Sequence, residues 1–155
     1  MSTKAQQYQK LFRLYKDETG VKEVDNREVA AWMIRRGVKP PKQKTVVDLL
    51  AAEISSALRE ETRYDLRSGR PYRANHAVPT AQGVFWIDID EKPRRSIMHK
   101  SLMKRRQQMV ADGFHLTLDA EHWNSENPEQ DPIQVPLDFE LDVQIEMAKK
   151  DTMAA

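Results

Sequence analysis

The sequence has 155 residues and a mass of 18.0 kDa, which suffices for one hydrophobic core but not for two large domains. Hydrophobic residues make up 39% and charged residues 32%, so we expect a modest core beneath a heavily charged surface. The absence of cysteine excludes disulfide bonds, cysteine-ligated zinc and thiol nucleophiles. No apolar run is long enough to cross a bilayer, and the first residues lack the apolar stretch of a signal peptide. We therefore expect a cytoplasmic protein that does not bind membranes.

The net charge of +1 conceals a division of charge along the chain. Residues 1–111 contain 23 Lys and Arg against 13 Asp and Glu, a net charge of +10. Residues 112–155 contain 2 Lys and Arg against 11 Asp and Glu, a net charge of −9. Such asymmetry predicts a polyanionic partner for the basic part of the chain.

Three helices are predicted in the first part of the chain. The apolar spacing of residues 8–15 is that of an amphipathic helix. A second helix is predicted to begin after an N-cap at Asp25 or Asn26 and to end before Gly37. Two prolines then interrupt the helical pattern, and a third helix is predicted over residues 45–62.

A β-hairpin is predicted after the third helix. Residues 72–78 and 84–90 have the composition of strands, and about five residues between them form the loop. Alternation along the second strand predicts that Phe85 and Ile87 face the core, whereas Trp86 faces away from it.

A long basic helix is predicted over residues 93–112, ending before the glycine that follows. Beyond it we expect a short strand at 114–118, one helical turn to Trp123, and then an extended acidic tail. The predicted organisation is one domain over residues 5–112 and an acidic, partly docked extension over residues 113–155.

The order helix, helix, helix, hairpin, helix over residues 5–90 resembles that of winged-helix DNA-binding domains. The resemblance implies that the third helix enters the major groove and that the hairpin contacts the DNA as a wing. The predicted fold class is α+β: a mainly helical winged-helix-type domain with a hairpin wing, a long basic fourth helix and an extended acidic C-terminal tail.

We therefore predict a DNA-binding protein, a regulator or accessory factor, that grips phosphates through wing arginines and a basic helix. RNA is an alternative ligand. The predicted contacts combine the resemblance with charge density, and they are Lys42, Lys44, Ser55, Ser56, Arg59, Arg67, Arg70, Arg73, His76, Arg94, Arg95, Lys104 and Arg105.

Alternatives remain open at this point. The basic face could dock an acidic protein, and helix 93–112 could pair with a second copy by burying Met98, Leu102 and Met109. A metal-dependent nuclease, with Asp88 or His122 in its site, is a third hypothesis. No phosphate-binding glycine loop or nucleophile motif is present, so we predict no catalytic residue, no metal and no cofactor.

Overall fold

The computed structural model describes residues 1–154 and has an α+β fold. The chain divides into two compact units, Met1–Val46 and Val47–Ala155. Its elements, in chain order, are α1 (Lys4–Thr19), α2 (Asn26–Arg35), α3 (Val46–Glu60), β1 (Thr62–Tyr64), β2 (Pro71–Arg73), β3 (Asn75–Thr80), β4 (Gly83–Asp88), a 3-10 turn (Ile89–Glu91), α4 (Arg95–Glu126) and α5 (Glu140–Ala154). The α+β class that we predicted is confirmed. Within residues 1–154, no helix is both long and apolar enough to cross a membrane.

The first unit is a helical hairpin, and both helices begin at side-chain caps. Thr3 and Gln6 form a reciprocal capping box before α1, and the Asp25 carboxylate accepts the Arg27 amide at the start of α2. The two helices meet where Tyr15 packs edge-on against Trp32, with ring centroids 5.5 Å apart. These local signals are strong, which explains why both predicted helices are confirmed.

The second unit contains two antiparallel hairpins that share the short link at Ala74. Ala74 is fully buried, its amide donates to the Glu61 carbonyl and its own carbonyl accepts the Ile89 amide. Backbone hydrogen bonds therefore tie the first hairpin to the far end of the second. Helix α4 packs against β3, where Ser101 is 1% exposed and donates to the Ala77 carbonyl at 2.6 Å.

The hairpin β3–β4 differs in detail from the one predicted. Its turn has two residues rather than about five, because Thr80 pairs with Gly83 and the positive φ of 125° at Gly83 suits glycine. Phe85 was predicted to face the core but is 56% exposed. Its cross-strand partner Val78 is buried instead. The reason is that the rest of this unit covers β3 more completely than it covers the part of β4 next to the turn.

The prediction of an extended acidic tail is wrong for most of residues 113–155, although residues 131–139 form neither helix nor strand. Helix α4 continues through Gly113 to Glu126, so the expected strand at 114–118 and the separate turn to Trp123 are both helical. Residues 140–154 form the further helix α5. The sign of the charge therefore changes inside a continuous helix.

The contacts of the helix explain why Gly113 does not end α4. Glycine inside a helix costs only about 1 kcal/mol relative to alanine, which tertiary contacts readily offset. Here the Leu137 side chain packs over Gly113, and Asn124 exchanges hydrogen bonds with the Ile133 backbone at 2.8 and 2.9 Å. The chain after α4 thus returns along the helix and supports it.

Replacing this glycine tests that account. A Cβ at position 113 would lie 3.5 Å from the Leu137 side chain, an ordinary van der Waals contact. We expect Gly113→Ala to raise the free energy of unfolding by roughly 0.5–1 kcal/mol, because alanine loses less backbone entropy in a helix. Urea unfolding followed by circular dichroism measures the change. A destabilised variant would show that α4 is interrupted at this glycine.

Candidate nucleic-acid interface

A basic cleft of about 340 Å³ lies between the hairpin β3–β4, the end of α3 and the first half of α4. Twelve residues line it, and none of them is Asp or Glu. Four are cations that come from three different elements: Arg59, Arg73, Lys104 and Arg105. All four are exposed, so their charged ends are accessible to a ligand. We call this site the basic cleft.

Trp86 contributes the aromatic surface of the basic cleft. The Arg59 guanidinium carbon lies 5.3 Å from the centroid of the Trp86 ring, within the range of a cation–π contact. Trp86 is half-buried on the face of β4 opposite to that of Val78 and Phe85. The site therefore combines guanidinium groups, which bind phosphate through paired N–H donors, with a ring on which a base could stack.

His76 forms part of the cleft floor, although it is buried. Its Nε2 lies 2.9 Å from the Arg73 carbonyl oxygen, which can only accept, so the ring nitrogen donates. This hydrogen bond ties the start of β3 to the end of β2. The structure thus places His76 where it positions Arg73, with little of its own surface exposed.

A second polar cluster lies at the junction of the two hairpins, where Arg63 binds three carboxylates. Its Nη1 donates to Asp88 at 2.8 Å and to Asp90 at 2.6 Å, and its Nη2 donates to Asp88 at 2.8 Å and to Glu61 at 3.1 Å. Tyr72 donates to Asp90 at 3.0 Å, which raises the pKa of the phenol. The hydrogen bonds from Arg63, and then that from the Asp90 amide, hold the pKa of Asp88 below its usual range. We call these groups the Arg63 cluster.

The Arg63 cluster accounts for the carboxylates that suggested a nuclease. The guanidinium of Arg63 binds both oxygens of Asp88, and Asp90 bonds to the same guanidinium. Within residues 1–154, no group of three or more acidic or histidine side chains has an arrangement that could hold a metal ion. His122, the other residue of that hypothesis, is exposed on α4.

The structure brings together only some of the residues predicted to contact nucleic acid. Those at the basic cleft are Arg59, Arg73, His76, Lys104 and Arg105. The others lie elsewhere: Lys42 and Lys44 precede α3, Ser55 and Ser56 are on α3, Arg67 and Arg70 are in the β1–β2 turn, and Arg94 and Arg95 begin α4. Of Arg67, Arg70 and Arg73, only Arg73 thus lines the same cleft as the basic helix α4.

Arg70 is bound by the acidic end of the chain. Its Nε and Nη2 donate to the two oxygens of Asp151 in α5, each at 2.9 Å. The hydrogen bonds lower the pKa of Asp151 and raise that of Arg70. One of the arginines predicted to grip phosphate therefore already holds a carboxylate.

Sequence analysis overlooked several residues of the basic cleft, among them Trp86, Asn75 and Gln108. Strand alternation had placed Trp86 on the side facing away from the core, which was a usable signal for an exposed aromatic surface. No comparable signal identifies Asn75 or Gln108, because only the packing of α4 on β3 brings them to the cleft.

No protein-family model, curated protein or solved structure matches this chain.

Proposed function

We propose that this protein binds nucleic acid, and that the basic cleft holds the phosphates. The observation that carries the proposal is the composition of the cleft, four cations without any carboxylate among the lining residues. Three other cations of this unit are paired with carboxylates instead: Arg63, Arg70 and Lys149. Cations that converge from three elements without local acidic partners are the arrangement that phosphate groups favour.

Two features favour nucleic acid over an isolated anion. The cations span α3, β2 and α4, so they can contact more than one phosphate of a polymer. Trp86 lies among them with Arg59 over its ring, and a base can replace or extend such a stack. DNA is the ligand that we propose to test first, with RNA second. The cytoplasmic location expected from the composition and a role as regulator or accessory factor are part of the same proposal.

From the resemblance to winged-helix domains, this proposal keeps the hairpin as a wing but not the recognition helix. The helices and the hairpin β3–β4 follow the order that such domains have, and β3–β4 would be the wing. However, α3 belongs to the second compact unit, whereas α1 and α2 form the first. The proposed grip on phosphate depends on the basic cleft and needs no recognition helix in the major groove.

Substitution of two cleft arginines provides the direct test. We expect Arg73→Ala combined with Arg105→Ala to weaken binding to mixed-sequence DNA at least roughly tenfold at low salt, because two charge-assisted hydrogen bonds are lost. The slope of log affinity against log salt should become shallower by about one for each lost phosphate contact. Fluorescence anisotropy with labelled single-stranded and duplex oligonucleotides measures both quantities.

The chain offers a matched control in Arg70→Ala. Arg70 stands three residues before Arg73 and is likewise exposed, but its guanidinium binds Asp151 instead of lining the cleft. We expect Arg70→Ala to leave the affinity within about twofold of the wild type. If Arg70→Ala lost as much DNA affinity as the double variant, the basic cleft would not be the binding site.

Competition in the same anisotropy assay distinguishes nucleic acid from an acidic protein partner. Polyglutamate of matched charge should compete weakly, because a carboxylate polymer offers no bases to stack on Trp86. If wild-type protein binds no oligonucleotide at low salt, or if polyglutamate competes as well as DNA, the nucleic-acid proposal fails.

A further inference from the structure

Helix α4 packs within its own unit at two places, where Ser101 meets β3 and Gly113 meets Leu137. A further side of the helix carries Met103, Val110, Phe114 and Leu118, which are 39%, 55%, 59% and 45% exposed. At about 100° per residue these four side chains fall within roughly 80° of one another, about 145° from Ser101. We call these four residues the outer stripe. All four side chains are exposed.

The same helix is divided by charge at its midpoint. From Arg95 to Ala111 it contains five Lys and Arg and no acidic residue. From Asp112 to Glu126 it contains four Asp and Glu and neither Lys nor Arg. The outer stripe, spanning 103–118, is centred on the same point. By helical position Asp112, Asp119 and Glu126 lie on the side of Ser101. Lys100 and Glu121, however, lie within the sector of the outer stripe, one beyond each of its ends. The stripe is therefore complementary in charge to a copy of itself that runs in the opposite direction.

We propose that two copies of this chain pair through the outer stripe, with the two α4 helices antiparallel and the two-fold axis near residues 110–114. Antiparallel pairing opposes the helix dipoles and makes Glu121 face Met103 of the second copy, one turn from Lys100 of that copy. Parallel pairing would instead place Glu121 beside Glu121 and Lys100 beside Lys100.

This surface differs from the one expected from the sequence and is separate from the basic cleft. Met98 and Met109, which we expected at a dimer interface, are respectively half-buried and part of a hollow beneath α5. By helical position Arg105 points away from the outer stripe and Lys104 lies about 85° from its centre, and none of the four stripe residues lines the cleft. Loss of pairing and loss of nucleic-acid binding can therefore be observed independently.

The mass of the full-length protein tests the proposal first. We expect sedimentation equilibrium at micromolar concentration to give twice the chain mass of 18.0 kDa. Phe114→Asp should raise the dimer dissociation constant at least ~30-fold, because a charge would be buried at the centre of the interface. Leu66→Asp is the matched control, since Leu66 is fully exposed in the β1–β2 turn and lies outside the stripe. A monomeric wild type, or equal effects of the two substitutions, would overturn the proposal.

Engineered cysteines determine the direction of the helices, because the chain has none of its own. A Met103→Cys variant mixed with a Glu121→Cys variant should form a disulfide between the two variants under mild oxidation. Neither variant should cross-link to itself, because antiparallel pairing separates identical positions by roughly 27 Å along the helix. Self-cross-linking of Met103→Cys would establish a parallel pair and contradict the proposal. Unchanged circular dichroism in all variants confirms that each is folded.

Discussion

Replacement of Ser101 by leucine is expected to destabilise the second unit by about 3 kcal/mol. Ser101 is the most deeply buried residue of α4, at 1% exposure, and its hydroxyl donates to the Ala77 carbonyl at 2.6 Å. Ala74, the residue immediately before β3, is also small and is fully buried. A leucine would have to push α4 away from β3, and it would remove the hydrogen bond as well.

Two further variants separate the steric effect from the hydrogen bond. Ser101→Ala keeps the close approach of α4 and β3, so we expect a loss of only about 1 kcal/mol. Ser96→Leu places the same side chain at an exposed position of α4 and should change stability by less than about 0.5 kcal/mol. Urea unfolding monitored by circular dichroism provides all three values. Equal stability of Ser101→Leu and Ser96→Leu would show that α4 does not pack closely on β3 at Ser101.

Replacement of Arg63 by methionine is also expected to destabilise the second unit. It would leave Glu61, Asp88 and Asp90 near one another without their shared cation. We expect the melting temperature at pH 7 to fall by roughly 5 °C, a moderate value because these side chains are partly exposed and screened by solvent. Arg94→Met, at an exposed position before α4, is the control and should have little effect.

The pH dependence of the melting temperature tests whether the ion pairs of the Arg63 cluster cause this loss of stability. The folded-state pKa of Asp88 is lowered, chiefly by Arg63, so the ionised carboxylate contributes stability above its unfolded pKa of about 3.9. That contribution is lost as the pH falls through the folded-state pKa. The difference in melting temperature between wild type and Arg63→Met should therefore be complete above about pH 5 and should narrow below pH 4. A difference that does not depend on pH would mean that Arg63 stabilises through packing alone.

The elements that could be predicted are those whose signals are local. The apolar repeat at residues 8–15 lies within α1, and α2 begins at the aspartate cap that the sequence predicted. The hairpin β3–β4 was located from its strand composition, although its turn is shorter than expected. In each case the signal and the structure that it specifies lie within about fifteen residues.

The elements that were missed depend on distant contacts. The strands β1 and β2 have three residues each, and they are held where Arg63 reaches Asp88, 25 residues away in the chain. Helix α5 lacks a strong amphipathic pattern, yet its Asp151 binds Arg70, 81 residues distant. No window of local sequence contains both partners of such a contact, so these strands and this helix could not be predicted from the pattern alone.

The sequence alone determined that positive and negative charge occupy different parts of this chain, because charge is a property of composition. It also placed the boundary between the basic and the acidic part of the chain at residue 112. Only the tertiary structure decided that this residue lies within α4, that Arg59, Arg73, Lys104 and Arg105 converge on one cleft, and that Arg63 and Arg70 are neutralised. The physical reason is that an ionic interaction depends on distance in space, and folding sets that distance independently of separation along the chain.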